Sequence, residues 1–391
     1  MPETLEFEEP IAILLKEIEA LNMLPQTDVR DGEIEGLRRR IDQIRGEIYK
    51  RLTPWQRVLV ARHPERPYLL DYVDRLFTEF VELHGDRRFA DDGAIVCGFA
   101  RYHGAPVMVC GHQKGRDMKQ KVQRNFGYAR PEGYRKALRA MQMADKFGRP
   151  IIVFVDTPAA YPGVESEERG IAEAIALNLR EMAVLSVPII VIITGEGGSG
   201  GALGLAIGDR VLMQEFAVYS VIPPEGCAAI LWRDASRKIE AAAALKITAP
   251  DLIAGGIVDG VVAEPLGGAH PDADAAAAAV DLAVGAALAE VAALDTATRL
   301  QARYDRFRRL RRVDAALAQQ AGDDRRDVER RGQRCDVRVA VARVGAARPG
   351  GGIGPDDRLP AARAHQRLRP PPGPARAPPC RRWRRRSRRG G

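Results

Sequence analysis

Five short runs of aliphatic and β-branched residues mark predicted strands in the middle of the chain. They cover residues 94–97, 107–110, 151–155, 189–193 and 218–222. Several of these runs lack alternating polar positions, which is typical of strands buried on both faces of a sheet. Helix-period stretches lie between them, at residues 132–146, 167–185 and 201–207. This alternation predicts an α/β layered domain over residues 66–310.

Residues 1–65 follow a helical period instead. One set of apolar positions recurs at intervals of three and four and therefore shares one helical face: Ile34, Leu37, Ile41, Ile44, Ile48 and Leu52. An earlier apolar group, between Ile11 and Leu21, precedes a polar segment at residues 26–32 that reads as a turn. The first 65 residues are therefore predicted to form a helical hairpin that packs on the body or on a partner.

Residues 311–391 differ from the rest in composition. They contain 22 arginines, no lysine and 8 acidic residues, a charge of +14, whereas the first 310 residues carry −6. The overall +8 therefore gives no reason to expect nucleic-acid binding by the body. A segment rich in Arg, Pro and Gly is predicted to be disordered. An RNA-binding arm is one alternative, and translation of a GC-rich gene in a shifted frame is the explanation we favour.

Cysteine spacing and hydropathy bound the class of protein further. The 5 cysteines include no CxxC pair, so neither a disulfide framework nor a zinc-finger spacing is present. The most apolar run, residues 187–194, is much shorter than the roughly 20 residues that span a bilayer. The N-terminus lacks the basic start of a signal peptide. We expect a cytoplasmic protein that binds no metal and no membrane.

The most informative segment is glycine-rich and follows the predicted strand at 189–193. It reads TGEGGSGGAL from residue 194 to 203 and opens an apolar helix. Glycines at such a junction let a ligand approach the main chain. The N–H groups of Gly200 and Gly201 would then lie unpaired at the helix start. Two such donors, assisted by the helix dipole, can stabilise a developing oxyanion.

Other interpretations of this segment remain open on the residues alone. A phosphate-binding loop would need a Lys that is missing here. A dinucleotide fingerprint can be placed on Gly195, Gly197 and Gly200, far from the N-terminal position where it usually occurs. The pattern GxSxG around Ser199 would require a downstream acid and a His, such as His270. A purely structural glycine turn is the remaining alternative.

Two further loops follow predicted strands. The loop at residues 156–163 ends in Tyr161, Pro162 and Gly163, and its two prolines stiffen it. The loop at residues 111–117 carries Lys114 and Arg116, which could bind an anion or be solvated surface charges. Ligands collect at strand-end loops of α/β sheets, so both loops are candidate parts of a site.

Taken in order, these segments resemble the α subunit of bacterial acetyl-coenzyme A carboxylase carboxyltransferase. The matching blocks are GHQKGRD (111–117), RNFG (124–127), PEGYRKA (131–137), DTP (156–158) with YPG (161–163), EER (167–169), GEGGSGGAL (195–203), PEGCA (224–228), LKITAP (245–250) and EPLGGAH (264–270). The resemblance extends from the N-terminal helices to about Arg309. It departs at Ala159, where the family usually has Gly, and at Pro223, where it usually has Ser.

The resemblance implies a crotonase-type fold of repeated ββα units and a carboxyl transfer. In that reaction carboxybiotin on a carrier protein donates its carboxyl group to acetyl-CoA, which gives malonyl-CoA for fatty acid biosynthesis. The implied partners are a zinc-ribbon-bearing β subunit in an α2β2 assembly, the biotin carboxyl carrier protein and biotin carboxylase. ATP is then used by the complex and not by this subunit.

The same resemblance suggests roles for individual residues. Gly200 and Gly201 are expected to donate to the biotin oxygen. The segment Tyr161-Pro162-Gly163 and the turn Pro224-Glu225-Gly226 would flank them, and Lys114 and Arg116 would face the phosphates of coenzyme A or a partner. Two rival hypotheses remain: a stand-alone crotonase-type hydratase or isomerase that uses Glu196 or Glu225 as acid and base, and a non-catalytic binding protein with a basic tail.

Overall fold

A computed structural model of the chain describes residues 5–310. The predictions for residues 311–391, namely disorder, an RNA-binding arm and a shifted frame, lie outside the described residues. The strands are β1 (Phe77–Glu82), β2 (Ile95–Tyr102), β3 (Ala105–His112), β4 (Ile151–Thr157), β5 (Ile189–Gly198), β6 (Arg210–Gln214), β7 (Val218–Ser220) and β8 (Gly260–Val262).

The helices fall before, between and after these strands. They are α1 (Glu9–Asn22), α2 (Asp28–Lys50), α3 (Pro54–Ala61), α4 (Leu69–Leu76), α5 (Met118–Gln123), α6 (Pro131–Lys146), α7 (Val164–Glu168), α8 (Ile171–Met182), α9 (Ser199–Leu203), α10 (Pro224–Trp232), α11 (Lys238–Leu245), α12 (Ala249–Ala254), α13 (Ala273–Ala292) and α14 (Thr296–Arg309). Short 3-10 turns occur at Glu6–Glu8, Asn125–Gly127 and Ala235–Arg237.

One mixed sheet contains all eight strands of the described residues, in the order β1-β2-β3-β4-β5-β6-β8. The first three strands are antiparallel, and the pairs from β3 to β8 are parallel. Strand β5 pairs with β6 through residues 190–193 and with β7 through residues 196–198. The α/β prediction is therefore confirmed, and β5 changes its neighbour just where its glycines begin.

Residues of the central strands alternate between two apolar cores, one on each face of the sheet. Val153 and Val155 of β4 pack in the core that contains Tyr134 and Met141 of α6. Ile152 and Phe154 pack in the opposite core, beside α4 and α13. This burial on both faces explains why the sequence shows a continuous apolar run here instead of alternation.

The N-terminal helices pack against each other through the predicted apolar positions. Ile11 and Ile18 of α1 form a buried cluster with Ile34 and Ile41 of α2. The segment predicted as a turn at residues 26–32 is mostly helix, because Thr27 caps α2: its hydroxyl accepts from the N–H of Arg30 at 3.2 Å.

The helix α13 is long and apolar enough to span a membrane by length and composition alone, with a mean hydropathy of 1.7. Residues 187–194, the most apolar run in the sequence, gave no indication of this helix. Its buried positions, among them Val280 and Val284, pack on the sheet in the same core as Ile152. A single helix of this kind is weak evidence for a membrane span, since core helices meet the same criterion.

Candidate active site

The glycine-rich segment begins as strand and not as loop. Residues 195–198 continue β5, and Gly197 lies opposite Thr157 of β4 in the sheet register. A Cβ atom on Gly195 would lie 2.4 Å from the carboxylate Oδ1 of Asp156, and one on Gly198 would lie 1.8 Å from the carbonyl oxygen of Pro158. Close approach of two strand ends therefore requires glycine at these positions, whatever ligand binds nearby.

Gly200 and Gly201 lie in the first turn of α9, directly after β5. This helix has five residues and ends at Leu203, whereas the sequence predicted it through residue 207, so its dipole is smaller than expected. First-turn amides have no acceptor inside their own helix. Within residues 5–310, neither amide donates to a loop carbonyl or a side chain. The residue before them, Ser199, has a φ of 52°, the left-handed region that few non-glycine residues adopt.

The loop after β4 packs directly on α9. A Cβ atom on Gly201 would lie 2.4 Å from the backbone of both Ala159 and Ala160, whereas one on Gly200 would come no closer than 3.6 Å to any atom, at Ile175. Ala159 does not have a positive φ, so its methyl group strains no backbone angle there. This departure from the family pattern therefore leaves the loop geometry intact.

The predicted segment Tyr161-Pro162-Gly163 continues the same loop. The Tyr161 N–H donates to the carbonyl of Ala129 at 2.9 Å, and the guanidinium of Arg130 lies 4.7 Å from the centre of the Tyr161 ring. Pro162 is exposed and Gly163 caps the short helix α7. Since Gly201 packs on the start of this loop, the structure joins two of the predicted site segments.

The third predicted segment forms the start of α10. Pro224 is the first helical residue, and Pro223 is the N-cap, with the Cys227 N–H donating to its carbonyl at 3.0 Å. A serine at position 223 could offer a capping hydroxyl, which proline lacks. Gly226 lies in the first turn, half-buried, beside Ile222.

A small cleft with about 270 Å³ of empty space, part of it open to solvent, lies between these elements. Its lining residues are Val58, Arg62, Pro158, Glu196, Gly197, Gly198, Val218, Ser220, Ile222, Pro223, Pro224 and Ile247. It thus includes Pro224 of the predicted site and the glycines immediately before α9. Tyr161, Gly200 and Gly201 are not among its lining residues.

Lys114 lies in a buried ion pair. Its Nζ is 2.6 Å from Asp156 Oδ1 and 3.3 Å from Glu196 Oε2. Burial would lower the pKa of Lys114, but the two carboxylates outweigh burial and raise it. Burial likewise opposes ionisation of Glu196, yet Lys114 and Arg62 hold its pKa below the ordinary value. These ion pairs favour a structural role for Lys114 over direct contact with a substrate anion.

Arg116 is also bound within the chain. One of its guanidinium nitrogens is 2.5 Å from Asp71 Oδ2, another donates to the carbonyl of Pro64 at 2.8 Å, and the group lies 4.7 Å from the Tyr68 ring centre. These contacts hold Arg116 against α4 and the loop before it. Arg116 is not among the residues that line the cleft.

Sequence reasoning missed Arg62, Asp156 and His112. Arg62 Nε is 2.6 Å from Glu196 Oε1, and NH1 is 2.5 Å from Glu225 Oε1. His112 is buried next to α9, and neither ring nitrogen makes a hydrogen bond of good geometry, although the backbone of Gly201 lies close enough to affect its pKa. Burial, followed by the charge of Lys114, lowers its pKa to about 3 against a small opposing effect of the Gly201 backbone. Asp156 could have been found from the sequence, because it is a charged residue at the end of an apolar strand.

The hydrolase alternative finds no support in the described residues. The ring of His270 stacks on that of His63, with the centroids 3.8 Å apart, and it lies among Arg45, Arg66 and the glycines at 267 and 268. No hydrogen bond links it to Ser199. Within residues 5–310 there is also no group of three metal-ligating side chains. Fold and site together define an α/β protein whose candidate site lies at the carboxyl end of a central strand.

Comparisons with known proteins identify the family. Residues 4–311 match the family model described as acetyl co-enzyme A carboxylase carboxyltransferase-like. The chain is 56% identical over 309 residues to the acetyl-coenzyme A carboxylase carboxyl transferase subunit alpha of Geobacter metallireducens, covering 79% of this chain and 97% of that protein. It is 55% identical over 307 residues to the protein of the same name from Sorangium cellulosum, covering 78% and 97%. The chain therefore belongs to the acetyl-CoA carboxylase carboxyltransferase α-subunit family.

A solved structure shows a weaker likeness. The transcarboxylase 12S structure with methylmalonyl-coenzyme A bound has a TM-score of 0.47 and 22% sequence identity, covering 57% of this chain and 41% of that chain.

Proposed function

We propose that this chain is the α subunit of a carboxyltransferase that moves a carboxyl group from carboxybiotin to acetyl-CoA and forms malonyl-CoA. The observation that carries the proposal is the match of residues 4–311 to the family and to nearly the full length of relatives that bear this name. The partners are then a β subunit in an α2β2 assembly, a biotin carboxyl carrier protein and biotin carboxylase. ATP is consumed by the biotin carboxylase, and the complex is cytoplasmic.

Carboxybiotin enters this reaction as a substrate that supplies the carboxyl group. Negative charge develops on its ureido oxygen as that group leaves, and the N–H groups of Gly200 and Gly201 are proposed to donate to this oxygen. Loss of one such donor typically costs about 10²–10³ in rate. The segments at residues 161–163 and 224–226 flank the donors in this proposal, and Lys114 fixes the strand ends between them through Asp156 and Glu196.

A matched pair of variants tests the donor assignment. Gly200→Ala keeps the N–H and places its Cβ 3.6 Å from the side chain of Ile175, whereas Gly200→Pro removes the N–H and adds a ring that also restricts the residue before it. The chain is co-expressed with a β subunit, and malonyl-CoA decarboxylation is measured with free biotin. We expect near-normal activity for Gly200→Ala and a loss of about 10²–10³ for Gly200→Pro.

Thermal unfolding of both variants serves as the control for folding, since the φ of 52° at Ser199 also limits what can follow it. Equal activity in two folded variants would contradict the donor assignment. No malonyl-CoA turnover by the wild-type complex would contradict the proposed function itself.

The hydratase hypothesis is less well supported by the same geometry. It requires a carboxyl group that gains and loses a proton near neutral pH. Glu196 is buried in contact with Lys114 and Arg62, which hold its pKa below the ordinary value, and Glu225 is paired with Arg62. Turnover of crotonyl-CoA by the purified chain alone would favour this rival.

A further inference from the structure

The guanidinium of Arg62 lies between two carboxylates that differ in their surroundings. Its Nε is 2.6 Å from Glu196 Oε1, and its NH1 is 2.5 Å from Glu225 Oε1. The Glu196 side chain is 10% exposed, whereas that of Glu225 is 35% exposed. One side of the guanidinium therefore faces a buried carboxylate and the other faces a carboxylate in contact with solvent.

The Glu196 carboxylate is held by more than Arg62. Its second oxygen is 3.3 Å from Lys114 Nζ. The backbone N–H of Glu196 also donates to Asp156 Oδ1 at 2.9 Å. Leaving such a buried charge unpaired is costly. The Arg62–Glu196 contact is therefore a fixed part of the fold.

Glu225 has no comparable anchor. Arg62 is its hydrogen-bond partner, through NH1 at 2.5 Å and NH2 at 3.4 Å, and it lies in the first turn of α10 at the protein surface. The pair is half-buried, with the Arg62 side chain 29% and the Glu225 side chain 35% exposed, so separation alone would cost the guanidinium one of its partners. Glu225 can leave at small cost when another carboxylate takes its place, because its own carboxylate then returns to water.

Arg62 is the one cationic side chain among the residues that line the cleft, within the part of the chain that the structure describes. The lining also includes Glu196, whose carboxylate already pairs with one side of Arg62, and the rest is mostly apolar or main chain, including Val58 and Ile222. A cation in a largely apolar cleft is suited to bind a small anion, because few water molecules compete for it.

We propose that Arg62 binds the carboxylate of the group being transferred and that Glu225 takes its place when no substrate is bound. This inference rests on the proposed function, in which malonyl-CoA and carboxybiotin each present one carboxylate. The exchange replaces one carboxylate on Arg62 by another, so the guanidinium stays paired and Glu225 returns to water. Substrate binding thereby releases Glu225, in the first turn of α10, from Arg62.

The test uses the complex with the β subunit and two substrates that carry the carboxylate, malonyl-CoA and the carboxylated carrier protein. Acetyl-CoA, which lacks it, is the matched substrate control. The variants are Glu225→Gln, which frees Arg62, and Arg62→Gln combined with Glu196→Gln, which removes the guanidinium without leaving Glu196 unpaired. Glu240→Gln is the control variant, because it removes a carboxylate of α11 that pairs with Arg237.

The variants are expected to act in opposite directions. Glu225→Gln lowers the KM of the carboxylate-bearing substrate about two- to fivefold, the range of an ion pair that is partly open to solvent. The double variant raises it about tenfold to a hundredfold, as for a lost charge-assisted contact. The KM of acetyl-CoA stays constant in both. If the KM changes only for malonyl-CoA, or only for the carboxylated carrier, the affected substrate is the one whose carboxylate Arg62 binds.

Equal shifts for all substrates, or no shift in folded variants, would overturn the inference and leave Arg62 a structural residue. If the wild-type complex does not turn over malonyl-CoA, the proposed function fails separately. Calorimetric titration of the full chain with sodium malonate, with malonamide as the uncharged control, then decides the inference. Binding that strengthens in Glu225→Gln and disappears in the double variant supports it, and absence of binding in Glu225→Gln overturns it.

Discussion

The Cα atom of Gly201 packs against the peptide bond that joins Ala159 to Ala160. A side chain at position 201 would place its Cβ atom 2.4 Å from both the carbonyl carbon of Ala159 and the nitrogen of Ala160. Backbone atoms on both sides leave no flexible group that could move aside. The glycine at 201 therefore fixes the distance between α9 and the loop after β4, in addition to any role of its N–H group.

Replacement of Gly201 by Ala should thus lower both stability and activity. We expect a loss of about 1–3 kcal/mol in the free energy of unfolding, the usual cost of overpacking, because α9 or the loop must shift. Urea unfolding and malonyl-CoA decarboxylation by the complex measure the two effects. Gly200→Ala is the control, since its added Cβ makes an ordinary contact at 3.6 Å. Equal stability of the two variants would contradict this account of position 201.

Lys114 is predicted to stabilise the fold more than it binds substrate. Lys114→Met leaves Asp156 buried without a cation and Glu196 with Arg62 alone, and should cost about 3–5 kcal/mol of unfolding free energy. Adding Glu196→Gln removes a negative charge next to Asp156, so the double variant should recover part of the loss. Urea unfolding measures both. Lys146→Met, an exposed lysine at the end of α6, should change stability by less than about 0.5 kcal/mol.

A different result would restore the sequence-based expectation for this residue. If Lys114→Met unfolds like the wild type but raises the KM of a coenzyme A substrate, the lysine contacts that substrate directly. The same pair of measurements on Arg116→Met separates its bond to Asp71 from contact with the coenzyme A phosphates.

Strands β2 to β5 and β7 were predicted from the sequence, whereas β1, β6 and β8 were not. β4 and β5 are apolar at consecutive positions because both faces are covered, and this pattern is visible without a structure. β1 mixes exposed and buried residues at the sheet edge, and β8 has only three residues. Such strands are defined by the neighbour they pair with, which the local sequence does not specify.

The candidate site was likewise predictable only in part. Local glycine and proline patterns located the segments around Gly201, Tyr161 and Pro224, because backbone requirements leave a mark on the sequence. The ion pairs of Arg62 could not be predicted from the sequence, since Arg62 and Glu225 are 163 residues apart and only the fold brings them together. The division into residues 1–65, 66–310 and 311–391, and the roles of the site residues, stay predictions.

His112 should make the stability of the protein sensitive to mild acid. Burial and Lys114 lower its pKa to about 3, whereas the ordinary value is 6.5. Between these values the unfolded chain binds a proton that the folded chain does not, so stability falls as the pH decreases from about 6.5 towards 3. The slope for one such group reaches about 1.4 kcal/mol per pH unit.

The variant His112→Leu tests this dependence. Urea unfolding at pH 6.0 and 5.0 should give a smaller decrease in stability than for the wild type, by up to about 1.4 kcal/mol. At pH 7.5 the variant should be at least as stable as the wild type, because leucine replaces a buried ring whose nitrogens make no well-formed hydrogen bond. Part of the slope should remain, since the pKa of His270 is also lowered to about 3, mainly by burial. An unchanged slope in His112→Leu would show that His112 is not the titrating group.

Arg303 of α14 should be among the largest single contributors to stability. Its side chain is 1% exposed, and its guanidinium donates to both carboxylate oxygens of Asp209, at 2.8 and 2.7 Å. It also donates to the carbonyls of Met182, Leu185 and Val187, at 2.7–3.0 Å, in the turn that leads into β5. Arg303→Met would leave a buried carboxylate and three carbonyls without these partners, with an expected loss of about 3–5 kcal/mol.

Arg303→Lys should not rescue this loss, because an ammonium group has three donors where the planar guanidinium here serves five acceptor atoms. The matched control is Arg308→Met, an exposed arginine on the same helix whose guanidinium lies 5.7 Å from the Tyr304 ring centre. It should change stability by less than about 0.5 kcal/mol. Urea unfolding of the three variants gives the comparison. If Arg303→Met stays within 1 kcal/mol of the wild type, α14 is held mainly by its apolar contacts, and the turn before β5 does not depend on this arginine.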